Sequence, residues 1–76
     1  MPELDRITRS IAIMGGKPCV RGMRVTVGMI VGLVASGHAF SEILAAYPCL
    51  EDEDVRQALA YAGWRVEEIE MPLPAA

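Results

Sequence analysis

The stretch over residues 25–35 most constrains the fold, because its eleven residues contain almost no polar side chain. It is far shorter than the roughly 20 residues that a helix needs to cross a bilayer, so it predicts a buried helix. Thr26 is placed to cap the N-terminus of this helix through its hydroxyl, and Gly37 stands where a left-handed C-terminal residue belongs. The predicted helix covers residues 27–36.

The residues before this helix predict a short β-hairpin or arm over residues 4–25. Ile7, Ile11 and Ile13 fall at odd positions, and such alternation is typical of short strands. Two glycines at 15 and 16 form the turn, and residues 20–25 form the returning strand.

Two further helices are predicted in the second half of the chain. Ser41 is the predicted N-cap of a short helix over residues 41–47, which Pro48 ends. The acidic run over residues 51–54 opens the third helix, where negative charge suits the helix dipole. The pattern leaves open whether Gly63 ends this helix or lies inside it.

These elements predict a single, mainly α domain over residues 1–76. It consists of a basic β-hairpin or arm (4–25), a three-helix core (26–63) and an extended C-terminal tail that binds a partner (64–76). The tight connection at residues 48–50 makes the second and third helices resemble a helix-turn-helix. Two prolines in the tail favour an extended conformation.

Size and composition favour association. A domain of 76 residues draws only about 3–5 kcal/mol from its own core, and a content of 53% apolar residues is more than so small a domain can bury. Gly28 and Gly32 stand four residues apart on one helix face. They either pack tightly within the domain or form a dimer face.

The two cysteines and the single histidine support neither a disulfide framework nor a metal site. Cys19 and Cys49 could form at most one disulfide and, with no signal peptide visible, we expect a cytoplasmic protein with free thiols. Together with His38 they fall short of four metal ligands, so we expect no metal and no cofactor. A lone loop histidine has no nucleophile at a fixed offset, and we expect no enzymatic activity and no membrane association.

Charge is distributed unevenly along the chain. Residues 1–24 carry five basic and two acidic residues, whereas residues 25–76 carry two basic and eight acidic ones. The basic residues near the glycines predict contacts with a nucleic-acid backbone. The alternative is that the hairpin arginines pair with the acidic half of the same chain or of a partner. The candidate nucleic-acid contacts are Arg9, Lys17, Arg21 and Arg24.

The end of the chain is the candidate site for a protein partner. Large apolar residues alternate there with glutamates, and such a strip can lie along a basic groove on another protein. The alternative is that the strip folds back onto its own core. The candidate partner-binding residues are Trp64, Arg65, Ile69, Met71 and Leu73.

The string Gly-Lys-Pro-Cys-Val-Arg-Gly-Met-Arg-Val-Thr-Val at residues 16–27 resembles the signature of the domain of unknown function 433 family. Later pieces match as well, among them Ser-Glu-Ile-Leu at 41–44 and Glu-Asp-Val-Arg at 53–56, so the resemblance covers roughly residues 6–70. Met23 stands where the family commonly has threonine.

The resemblance implies a homeodomain-like or winged-helix-like three-helix domain. It also implies a VapB-type antitoxin, a protein that binds and neutralises a cognate PIN-like ribonuclease toxin and binds its own operator DNA. Such a protein would act as a homodimer or a higher hetero-oligomer. The alternatives are a DNA-binding regulator that acts through the basic hairpin, and a structural homodimer without nucleic-acid binding.

Overall fold

The structure, a computed structural model, describes residues 4–68. A short antiparallel hairpin precedes three helices, which confirms the predicted mainly α fold. The elements in chain order are strand β1 (Ile7–Thr8), a 3-10 turn (Met14–Gly16), strand β2 (Cys19–Val20) and helices α1 (Val27–Ala35), α2 (Phe40–Ala46) and α3 (Asp52–Glu68). Of the predicted extended tail (64–76), residues 69–76 lie outside the described residues.

The hairpin is shorter than the sequence pattern predicted. Ile7 lies opposite Val20 in its two-residue register. The predicted strand character beyond Thr8 is wrong, because residues 10–13 form a tight turn closed by a 2.9 Å bond from the Ile13 N–H to the Ser10 carbonyl. The alternating isoleucines therefore do not share a buried face.

Helix α1 begins and ends where its capping residues predicted. The Thr26 hydroxyl accepts a 3.0 Å bond from the Met29 N–H. At the other end, Gly37 adopts a φ of +94°. Its N–H bonds to the Val34 carbonyl at 3.0 Å, and the following N–H, of His38, bonds to the Leu33 carbonyl at 3.2 Å. This pair of bonds is the Schellman motif, which satisfies carbonyls that the helix leaves free.

Helix α2 begins earlier than predicted. Ala39 is its N-cap residue, and the Glu42 carboxylate reaches back to accept the Ala39 N–H at 2.8 Å. Ser41 is therefore inside the helix, and its prediction as the N-cap is wrong. The carboxylate of the third helical residue satisfies the N–H of the N-cap residue itself, whereas an N-cap serine hydroxyl would accept an N–H from the first turn.

Helix α3 is longer than the predicted core segment. It passes through Gly63 and continues to Glu68. Trp64 and Arg65, which the sequence assigned to the tail, are thus helical. One interior glycine costs a helix only about 1 kcal/mol relative to alanine, which the rest of a 17-residue helix offsets.

The core lies between α1 and α3, with α2 and the hairpin closing its sides. Burying each of its larger aliphatic side chains contributes about 1.5–3 kcal/mol. None of the helices in the described part of the chain is long and apolar enough to cross a membrane. Among the described residues, the buried members of this apolar cluster are Val20, Val27, Ile30, Ile43, Leu50, Val55 and Ala58.

Candidate functional site

Arg21 binds the first turn of α3. Its Nε donates to Asp54 Oδ1 at 3.1 Å and its Nη2 donates to Asp54 Oδ2 at 2.9 Å. Nη2 also donates to the Cys49 carbonyl at 2.6 Å. Asp54 is completely buried. The two parallel bonds make a bidentate pair, the strongest form of arginine–carboxylate contact.

The turn after β2 aims Arg21 at the helix. Arg21 and Gly22 have φ values of +47° and +71°, and the Met23 N–H bonds to the Val20 carbonyl at 2.8 Å. Two central residues with positive φ are typical of a type I′ turn. The conformation is strained for an arginine, and the bonds to Asp54 compensate for that strain.

Arg6 completes an ion-pair cluster around Asp54. The cluster consists of Arg6, Arg21, Glu51 and Asp54. Arg6 Nη1 donates to Asp54 Oδ1 at 3.1 Å and to Glu51 Oε1 at 2.5 Å, and the Glu51 N–H donates to Asp54 Oδ2 at 2.7 Å. Each oxygen of the buried carboxylate therefore accepts two bonds, which holds the hairpin against the start of α3.

These bonds decide the charge state of Asp54. Burial by itself raises the pKa of a carboxyl group, but hydrogen bonds from Arg21, the Glu51 backbone and Arg6 outweigh burial and lower the pKa of Asp54. The hydrogen bond with Asp54 raises the pKa of Arg21, and that with Glu51 raises the pKa of Arg6. Asp54, Arg6 and Arg21 are therefore charged at neutral pH.

Arg21 is therefore a structural residue. The sequence grouped it with the nucleic-acid contacts, but its guanidinium is occupied by Asp54 and Cys49. The alternative interpretation, pairing with the acidic half of the same chain, is confirmed for this arginine, and its contact with nucleic acid stays a prediction. The reason lies in the left-handed turn, which points the side chain toward α3.

The other three basic candidates form a basic cluster around the Met14–Gly16 turn. Arg9 Nε donates to the Gly16 carbonyl at 3.0 Å, Lys17 follows that glycine, and Arg24 Nη1 lies 3.9 Å from the Met14 sulfur. All three residues are exposed. None of them forms a salt bridge with any residue between 4 and 67.

An aromatic cleft lies between the hairpin and the C-terminal half of α3. It has a volume of about 350 Å³ and is lined by Leu4, Ile7, Arg9, Tyr61 and Trp64. The Tyr61 and Trp64 rings meet edge to face, with centroids 5.9 Å apart. The surface therefore combines apolar area with one cation.

One further candidate for the partner site lies beside this cleft, and three lie beyond the described residues. The Arg65 guanidinium is 6.0 Å from the Trp64 ring centroid. Val66 is 72% exposed, although no sequence argument singled it out. The predicted partner-binding residues Ile69, Met71 and Leu73 lie outside the described residues.

Gly28 and Gly32 lie on the outer face of α1. Both are exposed, a Cβ at Gly28 would approach only the Thr26 hydroxyl, at 4.0 Å, and one at Gly32 would meet no described atom outside its own helix within 4 Å. Tight packing within the domain is therefore the wrong interpretation of this pair. The dimer face stays a prediction.

The cysteines are separate, Cys19 buried and Cys49 exposed, and both are free thiols. Among the described residues, no three His, Cys, Asp or Glu side chains come together as metal ligands would.

Comparison with known proteins places the chain in a family. Residues 7–62 match the family described as "Protein of unknown function (DUF433)". The chain belongs to the DUF433 family. This DUF433 chain is 45% identical over 56 residues to "Uncharacterized protein y4eO" of Sinorhizobium fredii, a match that covers 74% of the chain and 25% of the relative. The chain thus spans about a quarter of the length of that curated relative.

A solved structure supports the fold of the DUF433 chain. The crystal structure of a DUF433 member from Anabaena variabilis superposes with a TM-score of 0.77 at 30% sequence identity, covering 83% of this chain and 62% of that one. The family resemblance seen in the sequence is confirmed.

Sequence reasoning missed the polar residues that join the DUF433 hairpin to α3. Gln57 is buried; its side-chain oxygen accepts the Arg6 N–H at 2.9 Å, and its amide donates to Asp5 at 2.8 Å. Asp54 was counted only as one of four acids. The sequence did contain a signal for these buried contacts, namely polar residues on the apolar stripe of a predicted helix. Asp54 and Gln57 lie within one turn of buried Val55 and Ala58.

Proposed function

We propose that this DUF433 chain is an antitoxin-like protein that binds and neutralises a cognate PIN-like ribonuclease toxin in the cytoplasm. The aromatic cleft beside Trp64 is the observation that carries the proposal. Tryptophan and tyrosine are enriched among the residues that dominate protein interfaces, and here both lie at the helix end from which the acidic, apolar chain end continues.

The charge of this region suits the proposed partner. Glu67 is exposed on the last turn of α3, and the residues that follow include another glutamate at 70. A ribonuclease must hold a polyanion and therefore presents basic residues in its substrate groove. An acidic strip with apolar anchors complements such a groove and excludes RNA from it. The chain itself supplies no catalytic group in this scheme and requires no cofactor.

The test is co-purification of this chain with the product of the neighbouring reading frame, if that frame encodes a small nuclease. Trp64→Ala should weaken the complex by roughly 2 kcal/mol or more, as for a central interface aromatic. Truncation after Glu68 removes the chain end without cutting α3, and it should abolish neutralisation of the nuclease. Cys49→Ala, an exposed position away from the cleft, serves as the control. Full affinity in both test variants contradicts the proposal.

DNA binding through the basic cluster is the second candidate function. The observation that favours it is the grouping of Arg9, Lys17 and Arg24 around one exposed turn. Helix α3 is a poor groove reader because it begins with exposed acidic residues, which phosphates repel. The hairpin would then make the backbone contacts, and the helices would support it.

Its test is the salt dependence of promoter binding. Neutralising Arg9, Lys17 and Arg24 to glutamine should weaken binding and flatten the log–log salt slope by about 0.9 for each lost phosphate contact. Arg56→Gln, on the exposed side of α3, is the matched control. Unchanged binding by the triple variant removes the basic cluster from this role.

A further inference from the structure

An apolar side chain projects from the basic cluster. Ile11 is 90% exposed at the tip of the turn over residues 10–13, and Met14 is 37% exposed beside it. The tip lies against the Met14–Gly16 turn around which the cluster is grouped, because a Cβ on Gly16 would lie 3.8 Å from the Ile11 Cα. So exposed an isoleucine contributes almost nothing to the core.

The turn holds this projecting shape through its own bonds. The Ile13 N–H donates to the Ser10 carbonyl at 2.9 Å, and the Ala12 N–H donates to the Ser10 hydroxyl at 3.3 Å. Arg9 is fixed to the Gly16 carbonyl across the base of the turn. A preformed projection loses little conformational entropy when it binds, which favours a role in recognition.

The surroundings of the turn are positive. The sequence has no aspartate or glutamate between Asp5 and Glu42, so neither the hairpin nor α1 contributes a carboxylate beside Ile11. The part of α3 that meets the hairpin at Arg9 contributes Tyr61 and Trp64. An anionic target with an apolar recess fits this combination.

We propose that this turn enters the minor groove of A·T-rich duplex DNA, with Ile11 as a wedge between base pairs and Arg9, Lys17 and Arg24 on the flanking phosphates. The inference rests on the DNA-binding candidate of the proposed function and specifies how it works. Minor-groove proteins commonly insert an isoleucine or methionine between base steps and kink the duplex.

Two properties of DNA favour it over an acidic protein surface. The minor groove is about 6 Å wide, which admits a narrow turn but not a helix, and the phosphates along its edges can pair with the cations of the basic cluster. A·T-rich grooves are narrower and more negative, and they lack the guanine amino group that projects into the groove floor. An acidic protein surface would pair with the cations, but it would not require a narrow turn such as residues 10–13.

The test uses two duplexes of equal length, one A·T-rich and one G·C-rich. Affinity is measured by fluorescence anisotropy over a KCl series, and bending by energy transfer between the duplex ends. The full-length chain is compared with Ile11→Ser and with the Arg9→Gln, Lys17→Gln, Arg24→Gln triple variant. Val66→Ser is the control for losing an exposed apolar side chain, and Arg56→Gln for losing an exposed cation. Circular dichroism checks that each variant is folded.

The parent chain should prefer and bend the A·T-rich duplex. Ile11→Ser should remove the bend and weaken binding to that duplex about tenfold, as expected when a wedge is lost, while the salt slope stays the same. The triple variant should flatten the salt slope on both duplexes.

The outcomes separate the wedge from the DNA-binding candidate itself. If Ile11→Ser binds and bends the A·T-rich duplex as the parent does while the triple variant binds weakly, Ile11 is not a wedge. The phosphate contacts of the basic cluster then stand. If the triple variant binds as the parent does, or if the parent binds neither duplex, both are wrong. If the parent binds neither duplex, and a nuclease that co-purifies with the parent no longer co-purifies with Ile11→Ser, the turn binds a protein partner instead.

Discussion

At the scale of single residues, Asp54 connects the two halves of the fold. Its carboxylate accepts the Glu51 N–H at the start of α3, pairs in bidentate fashion with Arg21 just after β2 and binds Arg6 just before β1. Because the residue is completely buried, water cannot replace a lost partner. Residues 16–27, which resemble the signature of the family, therefore stabilise the fold through Arg21.

Asp54→Asn should destabilise the domain strongly. The substitution keeps the shape of the side chain but turns one carboxylate oxygen into an amide nitrogen that faces N–H donors, and leaving a buried polar group unsatisfied costs about 1–3 kcal/mol in free energy of unfolding. The measurement is urea denaturation followed by circular dichroism. Asp52→Asn, which removes only an exposed contact with Arg56, should change the midpoint little. A midpoint equal to that of the parent in Asp54→Asn would refute the role of the cluster.

Acid should weaken the domain through the same carboxylate. The pKa of Asp54 is lower in the folded chain than the roughly 3.9 of an unfolded aspartate. Its contribution is therefore complete above about pH 4 and is lost as the pH falls through the folded-state pKa. Urea midpoints between neutral pH and strong acid should fall less steeply for Asp54→Asn than for the parent. Parallel curves would show that other groups carry the acid sensitivity.

At the scale of secondary-structure elements, the helix ends differ in which residue supplies the cap. Thr26 and Gly37 set the limits of α1 and are the residue types typical of an N-cap and of a left-handed C-terminal position, which is why sequence reasoning placed them. Helices α2 and α3 instead begin where Glu42 and Asp54 reach back to a backbone N–H. An acid in a first turn predicts a helix start but leaves the cap residue undetermined.

Gly37→Ala and Gly63→Ala should change stability in opposite directions. Gly37 has a φ of +94°, where a Cβ is strained, so alanine there should cost about 1 kcal/mol or more. Gly63 lies inside α3, where a Cβ would meet no described atom beyond that helix within 4 Å, so alanine should add roughly 0.5–1 kcal/mol. Thermal and urea unfolding report both changes. Destabilisation by Gly63→Ala would mean that α3 needs flexibility at this residue.

At the scale of the whole molecule, exposed surfaces are distributed around a small core. The basic cluster and the aromatic cleft share the hairpin side, where Arg9 belongs to both. The outer face of α1 carries Gly28, Gly32 and Ala35, all exposed. A domain this small gains from covering such a face, and a second copy is the predicted cover.

Gly32→Glu should convert a homodimer into a folded monomer. The outer face has room for a side chain, so the fold should persist, while two like charges would face each other across a symmetric contact. Sedimentation equilibrium gives the mass, and Gly63→Glu on α3 controls for the added charge. If both variants sediment as the parent does, α1 is not the dimer face.

The sequence by itself determined the order of hairpin and helices, the limits of α1 and the family, because these follow from local capping, helical or turn propensity and one long string of residues. Only the tertiary structure decided what the side chains touch. Arg21 meets Asp54 across 33 positions, Gly28 and Gly32 turn outward, and Ile11 projects from the hairpin. A local pattern gives a residue its backbone conformation, but which distant partner lies within bonding distance depends on how the elements pack.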